Sequence, residues 1–110
     1  MFEKSSNSGY RQAVAGIDQK TLAYGDKSLM MEFRLQKGAK LPLHSHPHEQ
    51  IGYLVQGHLR LTIGEDLCDV QPGDSWCIPG DTLHCAECLA DAVAVEVFAP
   101  RREDYLPEQV

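Results

Sequence analysis

The stretch His44-Ser45-His46-Pro47-His48-Glu49-Gln50 crowds three imidazoles, a carboxylate and a carboxamide into seven residues. On an extended strand alternate side chains share a face, so His44 and His46 project together from Cα atoms roughly 6–7 Å apart. Neutral imidazole is the commonest transition-metal ligand, and two rings on one face can converge on one ion. The heptad therefore reads first as part of a metal site. His48 has the same parity and competes for ligation. Gln50 has it too, but Pro47 cannot donate to a strand ladder, so the chain must bend before Gln50 is reached. Glu49 has the opposite parity and reads as a solvated or strand-edge charge.

A second cluster lies near the end of the chain, in Glu96-Val97-Phe98-Ala99-Pro100-Arg101-Arg102-Glu103-Asp104-Tyr105. Glu96 and Phe98 share a strand face. If that face is interior, Glu96 can serve as a general acid or base. Arg102, just past the strand, can grip a carboxylate with two parallel hydrogen bonds or pair with Glu103 or Asp104. Four cysteines, Cys68, Cys77, Cys85 and Cys88, complete the reactive inventory. Cys85 and Cys88 have the gap of a redox or zinc pair, but no second such pair exists. Their odd separation also sends them to opposite faces of a strand. Buried or partly buried reduced thiols are the expectation.

The elements that must position these groups are short and alternating. Tyr10–Ile17, Lys20–Tyr24, Ser28–Leu35, His58–Ile63 and Ala92–Phe98 are strand candidates. Breakers fall at Gly25-Asp26, Gly38, Gly57, Gly64, Pro72-Gly73 and Pro79-Gly80. Evenly spaced short strands predict an all-β sandwich or barrel. Residues 1–9 read as a flexible N-terminal arm, 10–106 as one β-barrel domain, and Arg101–Leu106 as a short C-terminal turn.

The 110 residues suit one domain with a modest core. A net charge of −6 argues against sequence-independent binding to nucleic acid, which needs clustered Lys and Arg. No apolar run reaches the roughly 20 residues of a membrane span, and the first residues lack the apolar segment of a secretory signal, so a cytoplasmic protein is expected.

The spacing of the motifs carries a resemblance. Gly38 precedes His44-Ser45-His46 by five residues, Gln50 follows after three more and Gly57 after a further six. Downstream, Gly73 is followed after five residues by Pro79, and then by His84. In order and spacing this resembles the two motifs of the cupin superfamily over about Gly25 to Leu106. That resemblance implies a single-domain jelly-roll β-barrel. It further implies one divalent transition metal ion (zinc, nickel, iron, manganese or cobalt) on His44, His46, Gln50 and His84. The chain departs from the common pattern at Gln50, where Glu is most frequent, at Asp81 in place of Gly, and at Cys88 in place of Asn.

A neutral carboxamide leaves the ion its full positive charge, which favours Lewis-acid polarisation of a substrate oxygen over oxygen activation. Glu96, Phe98 and Arg102 fall where the pectin-degradation cupins that linearise unsaturated uronates have an acid, a Phe and an Arg. Glu96 departs from their Asp. The resemblance implies ring opening or tautomerisation of a carboxylated sugar, with Glu96 moving the proton, Arg102 holding the carboxylate and Phe98 lining the pocket. An iron-dependent dioxygenase and a non-catalytic small-molecule binder are the alternatives. A homodimer is expected, with Tyr10–Tyr24 as its candidate interface.

Overall fold

The computed structural model of the chain describes residues 1–107. Eight antiparallel strands carry the fold. They are β1 (Arg11–Val14), β2 (Ile17–Tyr24), β3 (Leu29–Leu35), β4 (Lys40–His44), β5 (Glu49–Ile63), β6 (Asp66–Val70), β7 (Ser75–Ile78) and β8 (His84–Ala99). One 3-10 turn, Glu103–Tyr105, follows. The fold is the expected all-β jelly roll, and the short C-terminal turn is present.

Two long strands form its spine. β5 and β8 pair along their whole length, from Glu49 opposite Ala99 to Ile63 opposite His84. One end of this ribbon carries β3 on β8 and β7 on β5, while β1 and β2 extend the sheet beyond β3. The other end carries β4 on β8 and β6 on β5. β4 pairs only with β8, so Pro42 sits on an edge strand, where its missing N–H costs no ladder bond.

The length of β5 differs from the sequence expectation. Gly57 reads as a strand end in the sequence, but β5 runs through it. The pairing with β8 shifts register between Leu54 and Leu59, as in a β-bulge. Gly57 adopts a φ of 93°, and a Cβ there would collide with the backbone of Asp91 and Ala92. The irregularity switches parity: Gln50 and Leu54 are buried before it, Leu59 and Leu61 after it. One continuous strand thus lines the barrel on both sides of the kink.

The core divides in two. The larger cluster gathers Ile17, Leu35, Leu54, Leu59, Leu61, Val70, Trp76 and Ile78 with Cys88, Ala92 and Ala94. The smaller one is Leu29, Met31 and Phe98, backed by Tyr105 and Leu106. All four cysteines are free. Cys88 is buried and Cys85 half-buried, as expected. Cys68 and Cys77 are exposed: Cys77 alternates on β7 with the inward-facing Trp76 and Ile78, and Cys68 lies in the exposed run of β6 that precedes Val70. No helix among the described residues is long and apolar enough to cross a membrane.

Candidate metal centre and adjoining pocket

β4 ends at His44, directly opposite His84, the first residue of β8. The chain then leaves regular structure through Ser45–His48 and re-enters at Glu49, so the bend expected at Pro47 is present. The bend is clamped from below, since Asp81 donates its N–H to the carbonyl of His46 at 2.7 Å and Gly80 packs on the Pro47 carbonyl. Asp81 has a φ of 61°, a left-handed conformation in which glycine is the unstrained choice and Asp one of the better substitutes.

His44, His46 and His84 come together, with one potential ligand atom of each within 4.8 Å of the others. Their Nδ1 atoms all lie against backbone carbonyls: His44 on Pro42 at 2.8 Å, His46 on His48 at 3.0 Å and His84 on Thr82 at 2.8 Å. A carbonyl only accepts, so each Nδ1 carries the proton and each neutral ring keeps its lone pair on Nε2. Burial pushes His46 and His84 below the usual histidine range, which keeps both rings neutral at pH 7.

The Nε2 of His84 is buried without a hydrogen-bond partner among the described residues. The Nε2 of His46 lies 3.0 Å from Oε1 of Gln50. With His46 in this tautomer both of those atoms are acceptors. Two acceptors in contact, beside an orphaned third, are costly unless a cation satisfies them. An ion bound tetrahedrally at about 2.0–2.1 Å from each nitrogen needs nitrogens about 3.3 Å apart, so the widest pair has to close by at most about 1.5 Å. The donor set therefore fits a divalent transition ion. His48 is outside the set, half-buried with its ring centroid 5.8 Å from that of His46. Glu49 is exposed at the start of β5. His58 is half-buried, 3.5 Å from Asp69 on the neighbouring strand.

Register places the remaining groups. Phe98 lies opposite Gln50, and Glu96 lies opposite Gly52. Gln50 stands diagonal to Glu96, near enough for its amide to favour the carboxylate. The amide oxygen faces the histidines, which leaves the NH2 on the side of the carboxylate. Trp76 donates its indole Nε1–H to Oε1 of Glu96 at 3.1 Å. Glu96 keeps some accessible surface, but that surface is the pocket wall rather than open solvent, and burial pushes its carboxyl up to about 7. Hydrogen bonds from Gln50 and Trp76 oppose the rise without cancelling it.

One pocket takes in all four expected ligands together with Glu96, Phe98 and Arg102. Its enclosed space is about 90 Å³. Phe98 is fully buried, 5.7 Å from the His46 ring. Arg102 sits at the rim with its guanidinium over Tyr105 (4.1 Å) and Phe98 (5.2 Å). Its fork is already engaged: Nε and Nη2 donate to the two carboxylate oxygens of Asp104 at 3.2 and 2.8 Å. Sequence reasoning missed Trp76 and Tyr105 as pocket residues. It named Asp104 only as a possible partner of Arg102, which is how Asp104 stands here.

The chain is similar to known proteins throughout. Residues 31–99 match the Cupin domain family. KdgF from Halomonas sp. superposes with a TM-score of 0.91 and is 30% identical, over 96% of this chain and 98% of that one. An RmlC-like cupin from Shewanella frigidimarina NCIMB 400 superposes with a TM-score of 0.90 at 24% identity, over 96% and 95% of the two chains. TT1209 from Thermus thermophilus superposes with a TM-score of 0.78 at 20% identity, over 93% and 100%. No curated protein sequence matches the chain. The two coupled histidine motifs, the jelly roll built on β5 and β8, and these matches have one reading: the chain belongs to the cupin family.

Proposed function

We propose that this cupin is a metal-dependent enzyme that opens or tautomerises a carboxylated sugar, an unsaturated uronate being the concrete case. The observation that carries the reading is the contact between two sites: Gln50 faces the histidine group with its oxygen and Glu96 with its amide. An ion held by His44, His46, Gln50 and His84 would supply Lewis-acid polarisation of a substrate oxygen. Glu96, pushed up to about 7, is poised to take a proton and return it near neutral pH. Arg102 at the rim offers the substrate carboxylate a paired hydrogen bond once Asp104 is displaced. Phe98 and Tyr105 give the sugar apolar walls.

The pocket favours a substrate that enters by one end. The histidine group and Glu96 line its interior and Arg102 its rim, so the reacting end would lie inside with the carboxylate towards Arg102. The likeness to KdgF, a pectin-degradation cupin, supports a sugar acid over other small acids. Four free cysteines suit a reducing cytoplasm. A homodimer remains our proposed assembly: β1, within the candidate interface Tyr10–Tyr24, is an open sheet edge, and a monomer by light scattering would refute it.

The test is turnover of a 4,5-unsaturated uronate by the zinc-, nickel- or manganese-loaded chain, followed by loss of ultraviolet absorbance and by proton NMR. Glu96→Ala is expected to abolish turnover while metal content by mass spectrometry stays unchanged. Full activity in that variant removes Glu96 from the mechanism. Strict dependence on ferrous iron with consumption of oxygen would replace the reading by an oxygenase.

A further inference from the structure

We propose that Trp76 is the positioning residue of Glu96, reaching it across β5 through a gap that Gly52 leaves open. The inference rests on the reading of Glu96 as the proton carrier.

The register dictates the arrangement. Glu96 on β8 is opposite Gly52 on β5, and Gly52 is opposite Trp76 on β7. Glu96 and Trp76 are therefore two strands apart on one row, about 9–10 Å between backbones. Any side chain at position 52 would stand between them. A Cβ on Gly52 would collide with Cε2, Cζ2 and Nε1 of the indole, so the ring lies flat over the glycine with its N–H edge extended towards Glu96. Gly52 has no positive φ, so its backbone does not demand glycine. The space does.

The contact restrains a flexible group. A glutamate has three side-chain torsions, and its terminal carboxylate rotates over a broad well. The indole bond to Oε1 at 3.1 Å and the Gln50 amide hold that carboxylate from two sides. An indole nitrogen is donor only, so Trp76 cannot exchange the proton itself or compete with the histidines for an ion. It fixes where the acid stands, and a displacement of about 1 Å in such a group costs up to about a hundredfold in rate.

Trp76 is the only tryptophan in the chain, so its indole N–H gives one isolated cross-peak in a nitrogen–proton spectrum. In the zinc-loaded full chain, Glu96→Gln turns a charge-assisted bond into a neutral one, and the indole proton is expected to move upfield. An unmoved peak overturns the contact whether or not any uronate is turned over. The second arm is kinetic. Trp76→Phe keeps an aromatic ring and removes the donor. It is expected to lower kcat by about ten- to a hundredfold with KM within about twofold. Gly52→Ala, which leaves donor and acceptor intact, should reproduce that split and shift the indole peak. A rise in KM alone, or full activity in Trp76→Phe, overturns the positioning role. A wild-type chain with no uronate turnover, together with a Glu96-sensitive indole peak, overturns the substrate reading and leaves the Trp76–Glu96 pair standing.

Discussion

The charge on Glu96 can be weighed directly by the Glu96→Gln variant, which removes it and keeps the shape. Burial pushes this carboxyl from 4.5 to about 7 in the folded chain. Between those values the folded chain holds a proton that the unfolded chain has released. Stability therefore falls as pH rises through the window, at about 1.4 kcal/mol per pH unit, and the loss over the interval amounts to about 3 kcal/mol. Below 4.5 both states are protonated and the effect vanishes. Above 7 the loss is complete. Glu96→Gln has no proton to release and still offers the indole an oxygen. It is expected to match the wild type near pH 4.5 and to exceed it by about 3 kcal/mol at pH 8. His46 and His84 work in the opposite direction, since burial lowers them and stability is lost as pH falls below the histidine range. They are common to both proteins and cancel in the difference. The assay is urea unfolding of both proteins at the two pH values after chelator treatment, because a nearby divalent charge would lower the carboxyl and shrink the gap. A stability difference that is the same at both pH values refutes the burial of a charge at this position.

Two further outcomes follow from the site. His84→Ala is expected to weaken zinc binding by more than about a hundredfold in calorimetry, beyond the ten- to hundredfold typical of losing an outer hydrogen-bond partner; retained affinity would place the ion elsewhere. Asp104→Asn removes the charge that occupies the Arg102 fork, so galacturonate, used as a carboxylate probe, should bind several-fold tighter, whereas Arg102→Met should abolish that binding. Equal affinity in both variants would take Arg102 out of ligand recognition.

Much of this arrangement was legible because it is local. The shared parity of His44 and His46 survives as the end of β4 and the bend beyond it, and the alternation in Ala92–Phe98 correctly put Glu96 and Phe98 on one face. Gln50 and His84 were reached through motif spacing, and both line the same pocket. The illegible parts depend on pairing between distant segments. Gly57 has the look of a breaker in one dimension. Only its fit against Asp91 and Ala92 makes it a kink within a 15-residue strand. Trp76 is 20 residues from Glu96, and nothing in its own surroundings reveals that an empty glycine position lies between them. Cys77 carries the same lesson in reverse, since a residue type that usually seeks the interior is turned outward by strand parity.

The pocket mouth and part of the pocket interior stand on different kinds of backbone. His84, Gln50 and Glu96 belong to the paired β5–β8 ribbon, whereas Arg102, Asp104 and Tyr105 belong to a three-residue turn and the residue before it. That turn is tied to the hairpin of β1 and β2 through Arg11 to the Asp104 carbonyl and Thr21 to the Tyr105 carbonyl. Sequence drift in the turn alters what the mouth admits without touching a ladder bond of the ribbon. The inherited reactivity and the choice of molecule are in this sense separately evolvable. A lineage could trade one ligand for another within a few substitutions past position 100, and keep the histidines, Gln50 and Glu96 as they stand.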